Sequence, residues 1–390
     1  MSLAKRKDIL RTLLVIQSFV EFVRPQDILP VFGVLRPGLF VLVATILISL
    51  PIYRKIINSH SVLKLSFVFL GIVAISIFWS VNTRHAYNNA FGLFLLLFGF
   101  VLPFVFSFDS IVEIKKFIRR FVFFMFLSSL FVITHGGKGP GGPIGDENDA
   151  GLALSMAIPL CGYFLLSQKE VSKKIFFMII LLLLILGVIS TASRGGLLSL
   201  IAALVGIVFI SDSRFKILTI VFLIVLTVLP FVPSSYYSDM ETISDTKDET
   251  RKDRILGWEK SLRMFYDNKW FGVGAGNWGW VIGQYETYAD LLKQRSHASR
   301  AAHSIYFTVF PELGLIGGAV YFSIIINMLL MYFHKFNDFS AEILKNSIII
   351  SVGVFLVGGV FLSVLYYPFL WYMLAMLVAL DRVQAKSLES

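Results

Sequence analysis

The sequence predicts an all-α polytopic membrane protein with about twelve transmembrane helices. Of its 390 residues, 56% are hydrophobic and only 15% are charged, and the mean hydropathy is +0.77. One soluble core could not hide that much apolar surface, so lipid must be the solvent. A span needs about 20 apolar residues, so a chain of this length has room for about a dozen spans.

The apolar runs give the positions of these spans. They cover residues 9–23, 31–53, 62–80, 87–107, 117–134, 150–167, 175–192, 195–211, 215–233, 303–333, 346–365 and 367–380. Only a turn at Tyr366, Tyr367 and Pro368 separates the last two runs, so eleven spans are the alternative.

The basic residues of the short connections predict the topology. They gather on one side of the bundle, at residues 5–11, 54–64, 115–120, 169–174, 214–216, 335–345 and 382–386. By the positive-inside rule this side is cytoplasmic, which places both termini in the cytoplasm. The first run ends in Glu21, Arg24 and Pro25 without a small-residue cleavage pattern, so we expect the first helix to stay attached.

One long loop interrupts the spans and divides the single membrane domain into three parts. Residues 1–233 hold predicted helices 1–9, residues 234–302 form a large periplasmic loop with short helices, and residues 303–390 hold helices 10–12 and a cytoplasmic tail. A long external loop on a membrane protein predicts that the protein works there.

Within the loop, residues 249–266 have the spacing of an amphipathic helix. Ile255, Trp258, Leu262 and Phe265 recur every three to four residues, with charged residues between them. We expect this helix near the membrane surface, with its Trp258 face toward lipid or the bundle. A second outer loop, at 136–149, is rich in glycine and proline and is expected to be mobile and non-helical.

Two arginines are candidate anion ligands. Arg194 lies at the outer end of an apolar run, where it is either an interfacial anchor or a bidentate phosphate ligand. Arg254 lies on the amphipathic helix with Arg251, in a basic cluster that fits either a lipid-linked diphosphate or plain headgroup attraction.

His303 and Glu312 are candidates for proton chemistry. His303 stands where the loop meets the next helix, three residues after Arg300, and a histidine there can titrate near neutral pH, although lone histidines are more often structural. Glu312 lies inside the predicted span, where a carboxylate needs a partner and is a functional candidate. Arg251, Arg300 and Trp258 are secondary candidates.

Other motifs are absent. There is no H-E-x-x-H, Walker A, G-x-S-x-G or D-x-D sequence, and the single cysteine, Cys161, lies in an apolar run. We therefore expect no metal site, no cofactor, no disulfide and no nucleic-acid partner.

Three motifs carry a family resemblance. They are SRGG around Arg194, an R-x-x-x-W helix from Arg254 to Trp258 that leads to a G-x-G-x-G-N segment ending at Asn277, and AAHSIYFTVFPELGLIGG beginning at Ala301. In this order, around one long outer loop, they resemble the bacterial O-antigen ligase and O-antigen polymerase superfamily, which includes some protein O-oligosaccharyltransferases.

The resemblance implies a GT-C-like lipid-linked oligosaccharide glycosyltransferase. Such enzymes take a glycan from undecaprenyl diphosphate and pass it to an acceptor hydroxyl on the periplasmic face, without a metal and with inversion. By position, Arg194 and Arg254 would bind the diphosphate and His303 would be the general base. The acceptor expected first is the lipid A core, with a growing polysaccharide or a protein hydroxyl as alternatives.

Two other classes compete. A polysaccharide or lipid transporter would place its polar groups within the helices, whereas this sequence puts its charge at one interface. A structural scaffold would tolerate replacement of Arg194, Arg254 and His303 without loss of turnover.

Overall fold

All regular secondary structure in the part of the chain that the structure describes is helical. A computed structural model describes residues 2–210, 249–287, 297 and 300–389. Its α-helices in the first half are α1 (Leu3–Phe22), α2 (Pro25–Ile28), α3 (Pro30–Leu35), α4 (Pro37–Ser49), α5 (Tyr53–Ile57), α6 (Ser61–Ile75), α7 (Thr83–Leu96), α8 (Leu102–Ser107), α9 (Ile111–Thr134), α10 (Glu147–Ser167), α11 (Val171–Ser190) and α12 (Arg194–Ile210). The later helices are α13 (Glu249–Asp267), α14 (Trp278–Val281), α15 (Tyr306–Leu330), α16 (Phe339–Gly358) and α17 (Pro368–Glu389).

The predicted membrane class is confirmed. Among the described residues, eight helical segments are long and apolar enough to cross a bilayer, and α12 is a shorter apolar helix. Every predicted span except one coincides with helical segments of the structure. The exception, 215–233, lies outside the described residues.

The long helices alternate in direction and give the bundle two ends. We call the end formed by residues 136–146, 191–193, 303–305 and 359–367 the loop end, because α13 packs there. The opposite end contains residues 52–60, 107–110 and 331–338. Side chains fix this alternation; His60 and His334, for example, both contact Asp381 near the end of α17.

Helix α10 lies at the centre of one half of the bundle. Nearly all of its residues are buried, and it packs on α9, α11, α12 and α16. Gly151 allows the close approach of α12, because a Cβ at Gly151 would lie 3.2 Å from the Cα of Gly196. Small residues at such crossings let helix backbones pack closely in a membrane.

Helix α15 is broken near its first turns, and the loop backbone completes its hydrogen bonds. The break falls at Pro311–Gly314, where Gly314 has φ 65° and ψ −169°. The amides of Val273 and Gly274 donate to the carbonyls of Pro311 (2.9 Å) and Glu312 (2.8 Å). A broken helix is tolerated at membrane depth when other protein groups satisfy its backbone in this way.

The glycines of the G-x-G-x-G-N segment are needed for this docking. Gly274 has φ +100°, and a Cβ there would lie 1.9 Å from Ser80 Oγ. Gly272 and Gly276 also have positive φ and equally close neighbours. The segment therefore joins the loop to the junction of α6 and α7.

The structure corrects two predicted boundaries. The span predicted at 346–365 is helical only as far as Gly358, and residues 359–367 form a non-helical connection to α17. The loop predicted at 136–149 is helical from Glu147, because Asp146 caps the first turn of α10 by accepting a hydrogen bond from the Asn148 amide at 2.9 Å.

Candidate active site

Helix α13 packs across the start of α15. The Trp258 indole stacks on Phe307 with 4.9 Å between ring centroids, and its Nε1 donates to the Ala302 carbonyl at 3.1 Å. Ile255 and Leu262, on the same predicted stripe, are exposed. Trp258 therefore faces the bundle and holds α13 in place, while the exposed apolar residues of this stripe lie on the outer surface of the helix.

A cavity of about 330 Å³ opens beside this contact. It is lined by Asp253, Arg254, Gly257, His297 and residues 300–303. The structure thus brings together three of the residues predicted for the site, Arg254, Arg300 and His303. Arg300 also lies 3.8 Å from the carboxylate of Asp253, with which it forms an exposed ion pair.

His303 occupies an unusual backbone conformation at the mouth of the cavity. Its φ is +48°, which lies in the left-handed region. Histidine enters this region more often than most residues, but the conformation still costs energy and is concentrated at functional sites. This backbone conformation determines the direction in which the imidazole side chain points.

The surroundings of His303 favour its neutral form. Partial burial, followed by the positive charge of Arg254, lowers the pKa of His303 below its usual value, and Arg300 and His297 act in the same direction. The Asp146 carboxylate raises the pKa and opposes them. The imidazole is therefore available at neutral pH to accept a proton.

A buried polar pair supports the floor of the cavity. The Lys260 ammonium lies 3.2 Å from His297 Nδ1, and His297 Nε2 lies 2.8 Å from the Asp253 carbonyl oxygen. Both side chains are buried. These contacts give His297 a structural role, and Lys260 is a buried cation that no sequence motif marked.

Arg194 is the first residue of α12, at the loop end of the bundle. The Ser193 hydroxyl before it accepts a hydrogen bond from the Gly196 amide at 3.0 Å and donates to Asn148 Oδ1 at 2.7 Å. Ala192, like His303, has a positive φ, here 50°. This tight turn fixes the backbone from which Arg194 extends.

Two sets of contacts connect the turn before Arg194 with His303. Asn148 binds Ser193, and Asp146, two residues earlier, is close enough to alter the pKa of His303. The connection 359–367 forms the second link. A Cβ at Gly195 would lie 3.2 Å from the Phe361 Cβ, and the Ile305 amide donates to the Gly359 carbonyl at 2.7 Å.

Glu312 is a fully partnered buried carboxylate. It accepts hydrogen bonds from the amides of Gly276 (2.8 Å) and Trp278 (3.2 Å) and from the Tyr366 hydroxyl (2.8 Å). It is only 3% exposed. These contacts join the G-x-G-x-G-N segment, the break in α15 and the 359–367 connection.

Tyr367 and Asp149 form another polar contact at this end that sequence reasoning did not assign to a site. Their side chains are hydrogen-bonded, and burial, together with the nearby Asp149 carboxylate, raises the pKa of Tyr367 well above its usual value. The tyrosine is therefore a neutral donor at physiological pH. Its neighbour Pro368 begins α17, so Tyr367 is the last residue of the non-helical connection 359–367.

Some predicted features lie beyond what the structure describes. The side chain of Arg251 and the loop residues 234–248 are outside the described residues. Within the described ranges, no three His, Cys, Asp or Glu side chains come together as a metal site requires.

A comparison with protein families identifies the region that contains this site. The model of the family described as O-antigen ligase matches residues 179–322. Residues 179–322 are similar to the O-antigen ligase family. The resemblance seen in the sequence is confirmed, and the O-antigen ligase region contains Arg194, Arg254, His303 and Glu312.

The match sets the general class of activity. A member of the O-antigen ligase superfamily is a membrane-embedded glycan-processing enzyme of the ligase or polymerase type. No curated protein sequence matches the chain.

Proposed function

We propose that this protein is an inverting, metal-independent glycosyltransferase that moves a glycan from undecaprenyl diphosphate to an acceptor hydroxyl. The observation that carries the proposal is the cavity at the loop end, where Arg254 and His303 meet inside the O-antigen ligase region. A cation for the leaving group and a neutral base for the nucleophile are the two groups that this reaction needs.

Arg254 and Arg194 bind the diphosphate of the donor. When the bond between the anomeric carbon and the diphosphate oxygen breaks, both bonding electrons stay on the diphosphate and its negative charge increases. Fixed guanidinium groups stabilise that charge more strongly in the transition state than in the ground state, which lowers the barrier. The turn at Ala192 and Ser193 holds Arg194 for this role.

His303 accepts the proton of the acceptor hydroxyl as the new glycosidic bond forms. The acceptor oxygen attacks the anomeric carbon from the face opposite the departing diphosphate, so the configuration inverts. The lowered pKa of His303 supports this role, because a base must be unprotonated before the reaction. Arg254 then serves two purposes, as a ligand for the donor and as the charge that keeps the imidazole neutral.

The topology fits a periplasmic site. The loop end carries the cavity, and those basic connections that the structure describes lie at the opposite end, which the positive-inside rule assigns to the cytoplasm. Both termini would then be cytoplasmic in a bacterial inner membrane, and donor and acceptor would meet at the outer leaflet.

The acceptor that we propose first is the lipid A core, which makes the protein a ligase. A polymerase would instead use a growing glycan, and a protein O-oligosaccharyltransferase a protein hydroxyl. Loss of a ligase leaves long chains on the carrier lipid, whereas loss of a polymerase leaves single repeat units on the acceptor.

The test uses purified full-length protein in detergent with undecaprenyl-diphosphate-linked glycan, a panel of acceptors and a chelator. We expect wild-type protein to release glycosylated product, and His303→Asn and Arg194→Gln to abolish it. Asparagine is chosen because it tolerates positive φ, so the variant removes the base and retains the turn.

The matched controls are Arg84→Gln and His135→Ala. Both residues are exposed at the loop end and lie outside the cavity, and both variants should keep wild-type activity. Absence of transfer to every acceptor, with movement of glycolipid across vesicles instead, would overturn the proposal and favour a transporter.

A further inference from the structure

The opposite end of the bundle has a cavity that the proposed reaction does not use. It has a volume of about 390 Å³ and lies among the start of α1, the turn before α5, the end of α8 and the end of α17. Its apolar floor includes Ile52, Val105 and Ala379. It is comparable in size to a pocket for a small ligand.

The walls of this cavity are strongly basic. Arg6, Lys7, Arg382 and Lys386 line it, against a single acidic residue, Asp109. Two cations already neutralise that carboxylate, because Lys7 forms an ion pair with one oxygen and Arg11 binds the other at 2.5 Å. Asp109 therefore has no capacity left to balance the other cations of the cavity.

Three cations remain without an acidic partner. In the part of the chain that the structure describes, no carboxylate pairs with Arg6, Arg382 or Lys386. The Arg6 Nε is buried and has no hydrogen-bond acceptor. A buried donor on a charged group costs free energy when it makes no hydrogen bond. The Arg6 Nε–H group therefore indicates that an external acceptor binds here.

Part of the cavity is already rigid. Arg382 Nη1 donates to the Val105 carbonyl at 2.8 Å, and Arg11 Nε donates to the Ser107 carbonyl at 2.8 Å. Both bonds satisfy carbonyls near the end of α8 and hold α1 and α17 against it. A site whose cations are held before binding loses less entropy when an anion arrives.

The position of the cavity selects the kind of anion. Ile52 is the last residue of a membrane-spanning segment, so the cavity lies at the depth of the lipid headgroups. Leu50, beside the cavity and inside that membrane-spanning segment, is 57% exposed, and this apolar side chain offers a surface for acyl chains. Basic pockets between transmembrane helices at this depth bind acidic headgroups.

We propose that this cavity binds the phosphodiester headgroup of an acidic phospholipid from the leaflet at the opposite end of the bundle. The phosphate accepts hydrogen bonds from Arg6 and neutralises the excess charge of Arg382 and Lys386. The acyl chains lie along Leu50. A zwitterionic phospholipid binds less well, because its own cation is repelled by the same residues.

The test is a titration of full-length protein in neutral detergent with phosphatidylglycerol, followed by native mass spectrometry. Phosphatidylcholine is titrated in parallel. The variant Arg6→Gln/Lys386→Gln removes the two cavity cations that make no structural bond to another helix. Each cation near a headgroup contributes about a five-fold factor in affinity, so we expect binding of phosphatidylglycerol to weaken about 25-fold.

Two further variants separate site loss from general effects. Lys169→Gln/Lys174→Gln removes two exposed charges at the same end of the bundle, outside the cavity, and should leave the affinity unchanged. Arg6→Lys/Lys386→Arg retains the charges and should keep most of the binding. Equal weakening in the cavity variant and the outside variant would overturn the proposal.

Competition distinguishes the source of the phosphate. Soluble glycerol phosphate, added at the concentration of the lipid, should not displace bound phosphatidylglycerol, because it has no acyl chains. Displacement by the soluble anion, or equal binding of phosphatidylcholine, would show that the cavity is not a lipid site.

Discussion

Replacing Glu312 by alanine should destabilise the loop end of the bundle more than any change to one of its partners. The carboxylate accepts three hydrogen bonds, from the amides of Gly276 and Trp278 and from the Tyr366 hydroxyl. Each buried donor left unsatisfied costs about 1 to 3 kcal/mol, so Glu312→Ala should cost about 3 to 9 kcal/mol. The backbone amides of Gly276 and Trp278 remain buried in this variant, and their unsatisfied N–H groups account for most of this cost.

The comparison variant is Tyr366→Phe. It removes one hydrogen-bond donor, and the two backbone amides keep Glu312 as their acceptor. Loss of a single net hydrogen bond should cost about 0.5 to 1.5 kcal/mol. Glu312→Gln should fall between the two, because its amide keeps one acceptor oxygen but presents its NH₂ group to a donor.

The assay is thermal unfolding of the purified variants in one detergent, with glycan transfer measured on the same samples. The midpoint should fall in the order wild type, Tyr366→Phe, Glu312→Gln, Glu312→Ala. A Glu312→Ala protein as stable as Tyr366→Phe but without turnover would refute the reasoning, because the carboxylate would then act in the chemistry.

Three further predictions concern the cavity and the docked loop. His303→Asn should lower the transfer rate by at least about 100-fold, the contribution of a general base, with the unfolding midpoint unchanged; a smaller loss would count against the base. Activity should rise with pH through the pKa of His303. Asp146→Asn removes the charge that raises this pKa and should move the acid limb of the rate profile to lower pH. Arg254→Gln removes a charge that lowers the pKa and should move the acid limb to higher pH. Shifts in the same direction would contradict the electrostatics. Gly274→Ala should lower the unfolding midpoint by forcing a Cβ against Ser80 at positive φ, a strain of about 1 to 3 kcal/mol, as judged against a Gly71→Ala control that meets no neighbouring atom.

Much of the architecture could be predicted because lipid restricts the solutions. Apolar runs had to become helices, and the amphipathic spacing at 249–266 agrees with the observed α13. His303 follows the loop and Arg254 lies within it, so their meeting at one end of the bundle followed from the alternation of the spans.

The features that were missed depend on tertiary contacts. The apolar residues after Gly359 have the composition of a span, but the chain leaves the helix there. The Ile305 amide donates a hydrogen bond to the Gly359 carbonyl, and the Tyr366 hydroxyl donates one to Glu312. The partners of Glu312 are backbone amides of a distant segment, and backbone groups leave no signature in a sequence pattern. For the end of α16, the local signal in the sequence was the pair Gly358 and Gly359, because glycine is common where helices end.

Lys260 illustrates the same limit. No motif marks it in the sequence, whereas the structure buries it against His297, 37 residues later in the chain. Such a pair can be found only once the loop has folded back on the helix.

The most direct test of the central claim separates donor binding from transfer. The dissociation constant for undecaprenyl-diphosphate-linked glycan and the single-turnover transfer rate would be measured for wild type, His303→Asn and Arg254→Gln, with Arg263→Gln, an exposed position on the same helix, as the control. The account predicts that His303→Asn binds the donor normally and does not transfer it, that Arg254→Gln binds it more weakly, and that Arg263→Gln does both normally. Normal donor affinity in Arg254→Gln, or normal transfer in His303→Asn, would contradict the assignment of diphosphate binding and proton removal to this cavity.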